Sequence, residues 1–448
     1  MDETFVVIGG DAAGMSAASK AKRDNPSIEV IVFERGEWVS YAACGMPYFI
    51  KGEVDSLEDL VNIPANRFRE ERDIDLRTGH EVVEINTEAS YVVVEAAGER
   101  FEQRYDHLLV GVGARPVTPP FAGLDLDGIF TIQAMDEAGA IDRFIDDVSP
   151  SHAAIVGGGY VGIEMAEALM GRGIDVSLFE MEDRVLLPFG EAVSEAVAEH
   201  LVDEGVDLHL DTAVEGFVGE DRVEAVTTEG ETVATDLVIV GVGVEPRVEM
   251  AEAAGIELGP TGAIATDAYG ETNIDDVYAA GDCAEARSVV TGEQVFVPLA
   301  LTANRAGRAI GQTVTGSPTE VGEIAETAIV KAFDLGAART GIIDETRASD
   351  AGFEPVSVTI TDHTRSGYYP GSVPITVTLL GDRSSGRLLG GSIVGREGVK
   401  RIDTVATALH AGIGVAEVER LDLAYAPPFS PTWDPVLTAA KVLNGKLD

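Results

Sequence analysis

The chain has 448 residues, 45% of them apolar, and carries 32 Lys+Arg against 77 Asp+Glu for a formal charge of −45 with His neutral. That length exceeds what one compact core supports, so two or three domains are expected. The acid excess repels phosphate backbones and argues against a nucleic-acid partner; spread along the chain and not gathered in a tail, it fits a folded protein solvated in very high salt.

In chain order, the start from Met1 lacks a basic region followed by an apolar one, so no signal peptide is read there. Thr4–Ile8 is a short β-branched run, Gly9-Gly10-Asp11-Ala12-Ala13-Gly14 a turn, Met15–Arg23 a helix and Ile28–Phe33 a second strand ending at Glu34. This is a βαβ unit with an acidic residue twenty positions after Gly14, the layout of a dinucleotide fold. The glycines let backbone N–H groups approach a pyrophosphate at a helix N-terminus, and Glu34 is placed to accept hydrogen bonds from a ribose. Asp11 stands where the middle glycine is expected; the plain reading is that it caps the helix that follows.

The design recurs. Ala153–Val156 is a strand, Gly157-Gly158-Gly159-Tyr160-Val161-Gly162 completes the GxGxxG pattern, Ile163–Gly171 is a helix and Val176–Phe179 a strand ending at Glu180. One such motif is weak evidence; two in strand–turn–helix–strand context are strong. Leu108–Pro116, with Gly113, and its near copy Leu237–Pro246, with Gly243, each read as a buried strand ending in a glycine turn where the chain crosses between domains. From about residue 325 the texture changes to short alternating strands, Ala328–Phe333, Val356–Thr361, Ile375–Leu380 and Leu388–Val394, before a helix near Val399–Ala411. No apolar run approaches the ~18–20 residues that span a bilayer, so a cytoplasmic protein is expected. The two cysteines, Cys44 and Cys283, are too far apart and too few for a disulfide scaffold or a four-ligand metal site; no metal is expected.

Ser40-Tyr41-Ala42-Ala43-Cys44-Gly45-Met46-Pro47-Tyr48 and Ala279-Ala280-Gly281-Asp282, added to the two glycine units, resemble the pyridine nucleotide–disulfide oxidoreductases over nearly the whole chain, and within them the single-cysteine branch. The resemblance implies an α/β fold of two Rossmann-like units, an FAD domain (1–112 and 263–324) interrupted by an NAD(P) domain (113–262), and an α+β dimerisation domain (325–448) that makes a homodimer. It implies FAD held by Gly9, Gly10, Ala12, Ala13, Gly14, Glu34, Arg35, Ser40, Gly113, Asp282, Pro298, Leu299 and Ala300. Its NAD(P) set is Gly157, Gly159, Tyr160, Val161, Gly162, Glu164, Glu180 and Gly243.

A lone redox thiol such as Cys44 must cycle through a mixed disulfide with substrate or a sulfenic acid; the bland reading is a small packed residue, which is preferred for Cys283. Members that reduce peroxide or oxygen carry a histidine at the position of Ala12. Its absence points to the coenzyme A-disulfide reductases, as do the segments around Tyr425 and around Tyr368 and Tyr369, whose tyrosines in that family reach the partner's cysteine. Which of Tyr368 and Tyr369 does so stays open, and Tyr425 could instead pack in its Pro-rich loop. Lys20, Arg23 and Arg67, with Ser40, form the candidate substrate-binding set. They belong to two basic stretches suited to coenzyme A phosphates or simply to neighbouring acids. The expected activity is FAD-dependent, NAD(P)H-driven reduction of coenzyme A disulfide or a related small disulfide or persulfide. The alternatives are an NADH oxidase or peroxidase of the same family, and an electron-transfer reductase in which Cys44 is inert.

Overall fold

A computed structural model of the chain describes residues 3–447. The two glycine units lie in two separate parallel five-stranded sheets. The first has the order Val277–Ala279, His107–Val110, Thr4–Ile8, Glu29–Phe33, Asp75–Arg77. The second has the order Asp207–His209, Asp175–Phe179, His152–Val156, Leu237–Val240, Ile129–Phe130. Their inner strands are continuous Val, Ile, Leu and Phe runs because a parallel sheet is covered on both faces; Phe5, Val6, Val7, Ala154, Ile155 and Leu178 are fully buried. The chain leaves the first sheet, builds the second and returns, since Val277–Ala279 pairs with His107–Val110. The outgoing and returning connections, Ala114–Pro116 and Val244–Pro246, pair as an antiparallel ribbon that Arg115 braces with an ion pair to Glu245 at 2.7 Å.

The duplication runs deeper than the glycine turns. Each unit also carries a three-stranded antiparallel meander, Glu81–Asn86, Tyr91–Ala96, Glu99–Arg104 in one and Val214–Val218, Ala225–Thr228, Thr232–Ala234 in the other. Neither meander was anticipated from sequence: Glu99–Arg104 holds a single apolar residue, Phe101, and four charges.

The last sheet is antiparallel, in the order Ala328–Ala332, Leu335–Gly341, Leu388–Gly395, Pro374–Asp382, Pro355–His363. Its central strand Leu388–Gly395 is buried at every position. The expected helix near 399–411 starts as a 3-10 turn, Val399–Arg401, and continues as Ile402–His410. The strand Leu335–Gly341 and the final helix Pro435–Leu447 are additional to the expected elements. Among the described residues no helix is long and apolar enough to cross a membrane.

The first helix, Ala12–Asp24, lies hard against Ala300–Thr313. A Cβ at Gly307 would fall 2.1 Å from the Ala13 carbonyl oxygen and one at Gly311 2.4 Å from that of Ala17. Pro298, Leu299 and Ala300 stand at the start of that second helix.

Candidate active site

Both glycine turns are built alike. Gly9 and Gly157 take φ of +104° and +108°, a region that favours glycine. A side chain at Gly9 would strike the Gly111 carbonyl oxygen at 2.2 Å, and one at Gly157 that of Gly241 at 2.5 Å. Gly14 and Gly162 sit so close to those turns that a Cβ would lie 1.9 Å from the carbonyl oxygens of Gly9 and Gly157. Glu34 accepts the N–H groups of Gly10 and Gly36, each at 2.7 Å. Glu180 accepts those of Gly158 at 2.7 Å and Glu182 at 2.9 Å. Each acidic residue therefore ties its turn to its strand, with lone pairs left for a ribose. Helices Ala12–Asp24 and Tyr160–Gly171 begin without a side-chain cap, so their first N–H groups have no partner of that kind and suit a pyrophosphate. Arg35 is exposed beside the first turn. Tyr160 packs edge-on against Phe189 with ring centroids 5.4 Å apart.

Asp11 corrects the expectation of a helix cap. It occupies the cap position, but its side chain makes no cap bond. Its Oδ1 accepts the N–H of Tyr41 at 3.1 Å, across to the segment that bears Cys44. Glycine is unnecessary there because φ is −112°, which any L-residue adopts. Burial, acting first, pushes the Asp11 carboxyl up to about 6.

That segment is laced down along its length. Ser40, at φ +49°, donates its N–H to the Gly10 carbonyl at 3.0 Å and accepts that of Asn62 at 2.9 Å, while Ala42 donates to Leu60 at 2.8 Å. A Cβ at Gly45 would meet Leu60 Cδ2 at 2.3 Å, so a larger residue in the turn after the cysteine would have to displace the Leu60 side chain. Cys44 lies in a single 3-10 turn, Ala43–Gly45, just ahead of helix Met46–Lys51. Its residue is exposed, whereas Cys283 is fully buried, with Sγ 3.4 Å from the Val110 carbonyl oxygen and its thiol pushed up to about 11 by burial. Partial desolvation raises the Cys44 thiol first, and the charge of Glu164 adds to it, followed by Asp282 and Asp11. Glu164 comes from the second unit's helix, so the fold brings the Cys44 turn of one unit to the helix after the glycine turn of the other. Burial, then Glu167, pushes the Glu164 carboxyl up to about 7. Asp282 makes no side-chain hydrogen bond among the described residues, and burial pushes it up to about 6. A half-buried carboxylate left without a protein donor fits a ligand that brings hydroxyl groups.

The sequence reading missed Glu167. Its carboxylate, 5% exposed, accepts Lys51 Nζ at 2.8 Å, Lys331 Nζ at 2.8 Å and the Phe333 N–H at 2.8 Å. Burial alone would raise it, but the hydrogen bonds from Lys331 and Lys51 outweigh that and hold it below the usual carboxylate range. Lys51 ends the helix that follows Cys44, Glu167 sits one turn beyond Glu164, and Lys331 and Phe333 belong to the last sheet and its first hairpin turn. One buried anion thus joins all three parts of the chain.

Among the described residues no hydrogen bond or charge effect ties Tyr368, Tyr369 or Tyr425 to this site. Tyr425 is lowered by the hydroxyls of Thr432, Ser366 and Tyr368, all in the last domain, so Tyr368 is the neighbour of Tyr425. Tyr369 donates its N–H to the Ser366 carbonyl at 2.7 Å. Tyr368, Phe429, Trp433 and Tyr425 are 77%, 76%, 60% and 48% exposed, an apolar patch of the kind that marks an interface. Of the basic residues, Lys20 pairs with Asp24 at 2.7 Å and Arg67 with Glu71 at 3.0 Å. Arg23 is exposed and has no ion pair among the described residues.

A family model described as pyridine nucleotide-disulphide oxidoreductase matches residues 3–307, and the dimerisation domain of the same family matches residues 327–435. The NAD(P)H coenzyme A polysulfide/persulfide reductase of Pyrococcus horikoshii is 39% identical over 445 residues, 99% of each chain. The coenzyme A disulfide reductase of Staphylococcus haemolyticus is 32% identical over 430 residues, 95% of this chain and 96% of that one. Among solved structures, a NAD-dependent persulfide reductase from A. fulgidus superposes with a TM-score of 0.96 at 36% identity, covering 99% of this chain and 83% of that one.

Proposed function

Because this chain belongs to the pyridine nucleotide-disulphide oxidoreductase family, we propose that it is an FAD-dependent NAD(P)H oxidoreductase that reduces coenzyme A disulfide, or a related small disulfide or persulfide, through Cys44. The observation that carries this reading is an exposed thiol on a turn clamped to the first glycine motif and facing Glu164 of the second. When bound, FAD supplies the relay that takes a hydride from the nicotinamide and returns an electron pair to sulfur. The first unit, with residues 1–112 and 263–324, is the part suited to FAD, through its uncapped helix, Glu34 and the unpartnered Asp282. Residues 113–262 are suited to the nicotinamide dinucleotide through the matching turn and Glu180. Cys44 attacks one substrate sulfur; its Sγ bonds to that sulfur as the substrate S–S bond breaks, and the other sulfur leaves as a thiolate that takes up a proton. Ala12, where a peroxide-reducing member carries histidine, offers nothing to stabilise a sulfenate. Arg23, Lys20 and Arg67 form the candidate set for the phosphates of coenzyme A, with Arg23 the one not engaged in an ion pair among the described residues. Residues 325–448 carry the exposed aromatic patch and make the homodimer.

The decisive experiment is anaerobic NADH consumption against coenzyme A disulfide, a persulfide and peroxide; turnover with peroxide alone overturns the reading. The same assay decides the nicotinamide. Glu180 is held facing the second glycine turn, and Arg184 is engaged by Asp183 at 2.8 Å, so a 2′-phosphate meets a carboxylate while Arg184 is already paired. We expect kcat/KM to favour NADH by about tenfold or more, the ratio of roughly one lost charge-assisted contact; an NADPH preference overturns this.

Salt should matter as much. With a charge of −45, self-repulsion acts over a Debye length of about 30 Å at 0.01 M salt but only about 3 Å at 1 M. Transfer from molar KCl to dilute buffer is expected to unfold the dimer or release FAD within hours, followed by flavin fluorescence. Full activity after a day in dilute buffer refutes the halophilic assignment.

A further inference from the structure

We propose that His200, Glu204 and Asp334 form a divalent-cation site that staples the second unit to the last sheet. Composition gave no reason to expect a metal; the fold assembles the donors. His200 and Glu204 are one turn apart at the end of helix Glu191–Asp203, and Asp334 sits in the turn between strands Ala328–Ala332 and Leu335–Gly341. His200 Nε2 is 3.0 Å from Asp334 Oδ1 and 3.7 Å from Glu204 Oε1, and one ligand atom from each residue lies within 4.8 Å of the others. Metal bonds of roughly 2.0–2.2 Å put neighbouring ligands about 3.0–3.5 Å apart, so the 3.0 and 3.7 Å separations of His200 Nε2 from the two carboxylates come near the spacing of ligands around one ion.

The independent observation is His200 itself. Its side chain is 8% exposed, yet Nε2 has no hydrogen-bond partner: Asp334 Oδ1 is near enough but lies off the line an N–H would need. A buried ring nitrogen flanked by two carboxylates and unsatisfied by either is costly as a donor and apt as a metal ligand. The other oxygen of Asp334 is held by Arg396 Nη1 at 2.9 Å, which orients the carboxylate and leaves Oδ1 for the ion. Glu204 and Asp334 are 40% and 55% exposed, so water can enter and complete the coordination. One imidazole and two carboxylates suit Zn²⁺, Co²⁺, Ni²⁺ or Mn²⁺ over softer ions. The turn it would fix is the one whose Phe333 N–H is bonded to Glu167.

The test uses untagged FAD-loaded enzyme, stripped with chelator and dialysed against Co²⁺ in molar KCl to suppress loose binding to the acidic surface. We expect one Co²⁺ per subunit, displaced by Zn²⁺, a melting temperature that rises to saturation as the site fills, and no thiolate-to-metal charge-transfer band. His200→Gln should lose the bound ion and the thermal shift, and Glu204→Gln, at an exposed position safe for folding, should weaken binding at least tenfold. Failure of the folded wild-type enzyme to retain Co²⁺ overturns the site. So does equal retention by both variants, or a thiolate band that assigns the ion to Cys44.

Discussion

Cys44→Ser enzyme is expected to lose disulfide reduction by a factor on the order of 10⁴–10⁶, the scale on which a nucleophile's removal is felt, while still binding FAD and still passing electrons from NADH to it. The argument rests on the separation of tasks in the fold. The glycine turns, Glu34, Glu180 and Asp282 do not depend on the thiol, so a one-atom change at Cys44 leaves them intact. A serine hydroxyl ionises far above neutral pH and cannot form a mixed disulfide. Cys283 cannot substitute: it is fully buried and its thiol is pushed up to about 11. Stopped-flow reduction of the flavin by NADH, beside steady-state turnover with coenzyme A disulfide, separates the two halves. Near-normal disulfide turnover in the variant would sink the mechanism and favour an electron-transfer reductase.

Tyr425→Phe is expected to slow disulfide reduction by about 10²–10⁴, the usual worth of a general acid, again without blocking flavin reduction. Neighbouring hydroxyls of Thr432, Ser366 and Tyr368 lower the phenol, which eases proton donation to a departing thiolate. Within one chain its neighbours Thr432, Ser366 and Tyr368 all belong to the last domain, so the proposed role requires that the proton reach the partner's Cys44. That demands a particular result from mixed dimers. A heterodimer of Cys44→Ser and Tyr425→Phe subunits has one site with both defects and one with neither, and should recover about half of wild-type activity, a large gain over either parent. Proven subunit exchange without recovery would mean that the tyrosine does not act across the interface.

What was legible in the sequence was what is local. The two βαβ units announced themselves because an apolar run, a glycine turn that needs positive φ and a helix follow one another within thirty residues. The Cys44 and Tyr425 segments are likewise continuous. What escaped depends on distant parts of the chain. Glu167 looks like any helical acid until Lys51 and Lys331, 116 and 164 residues away, close on it. Asp11 was legible as an oddity but not in its role, because the N–H it accepts belongs to Tyr41, thirty residues on. The basic stretches show the reverse error. Lys20 and Arg67 looked available because their i,i+4 acids, Asp24 and Glu71, are ordinary helix neighbours. The charged meander strands gave no period-2 signal strong enough to separate them from loop.

The Glu167 junction also sets an order of events during synthesis. Lys51 and Glu167 leave the ribosome well before Lys331, so a nascent chain holds a half-neutralised anion where the finished protein has two lysines and an amide. Water must keep that surface wet until the last sheet arrives, since a charge buried without its partners is strongly disfavoured. The final domain therefore acts as the closing step that dries the surroundings of Glu167. A chain released early, with both nucleotide-binding sheets complete, would leave the ribosome with that region still open to solvent.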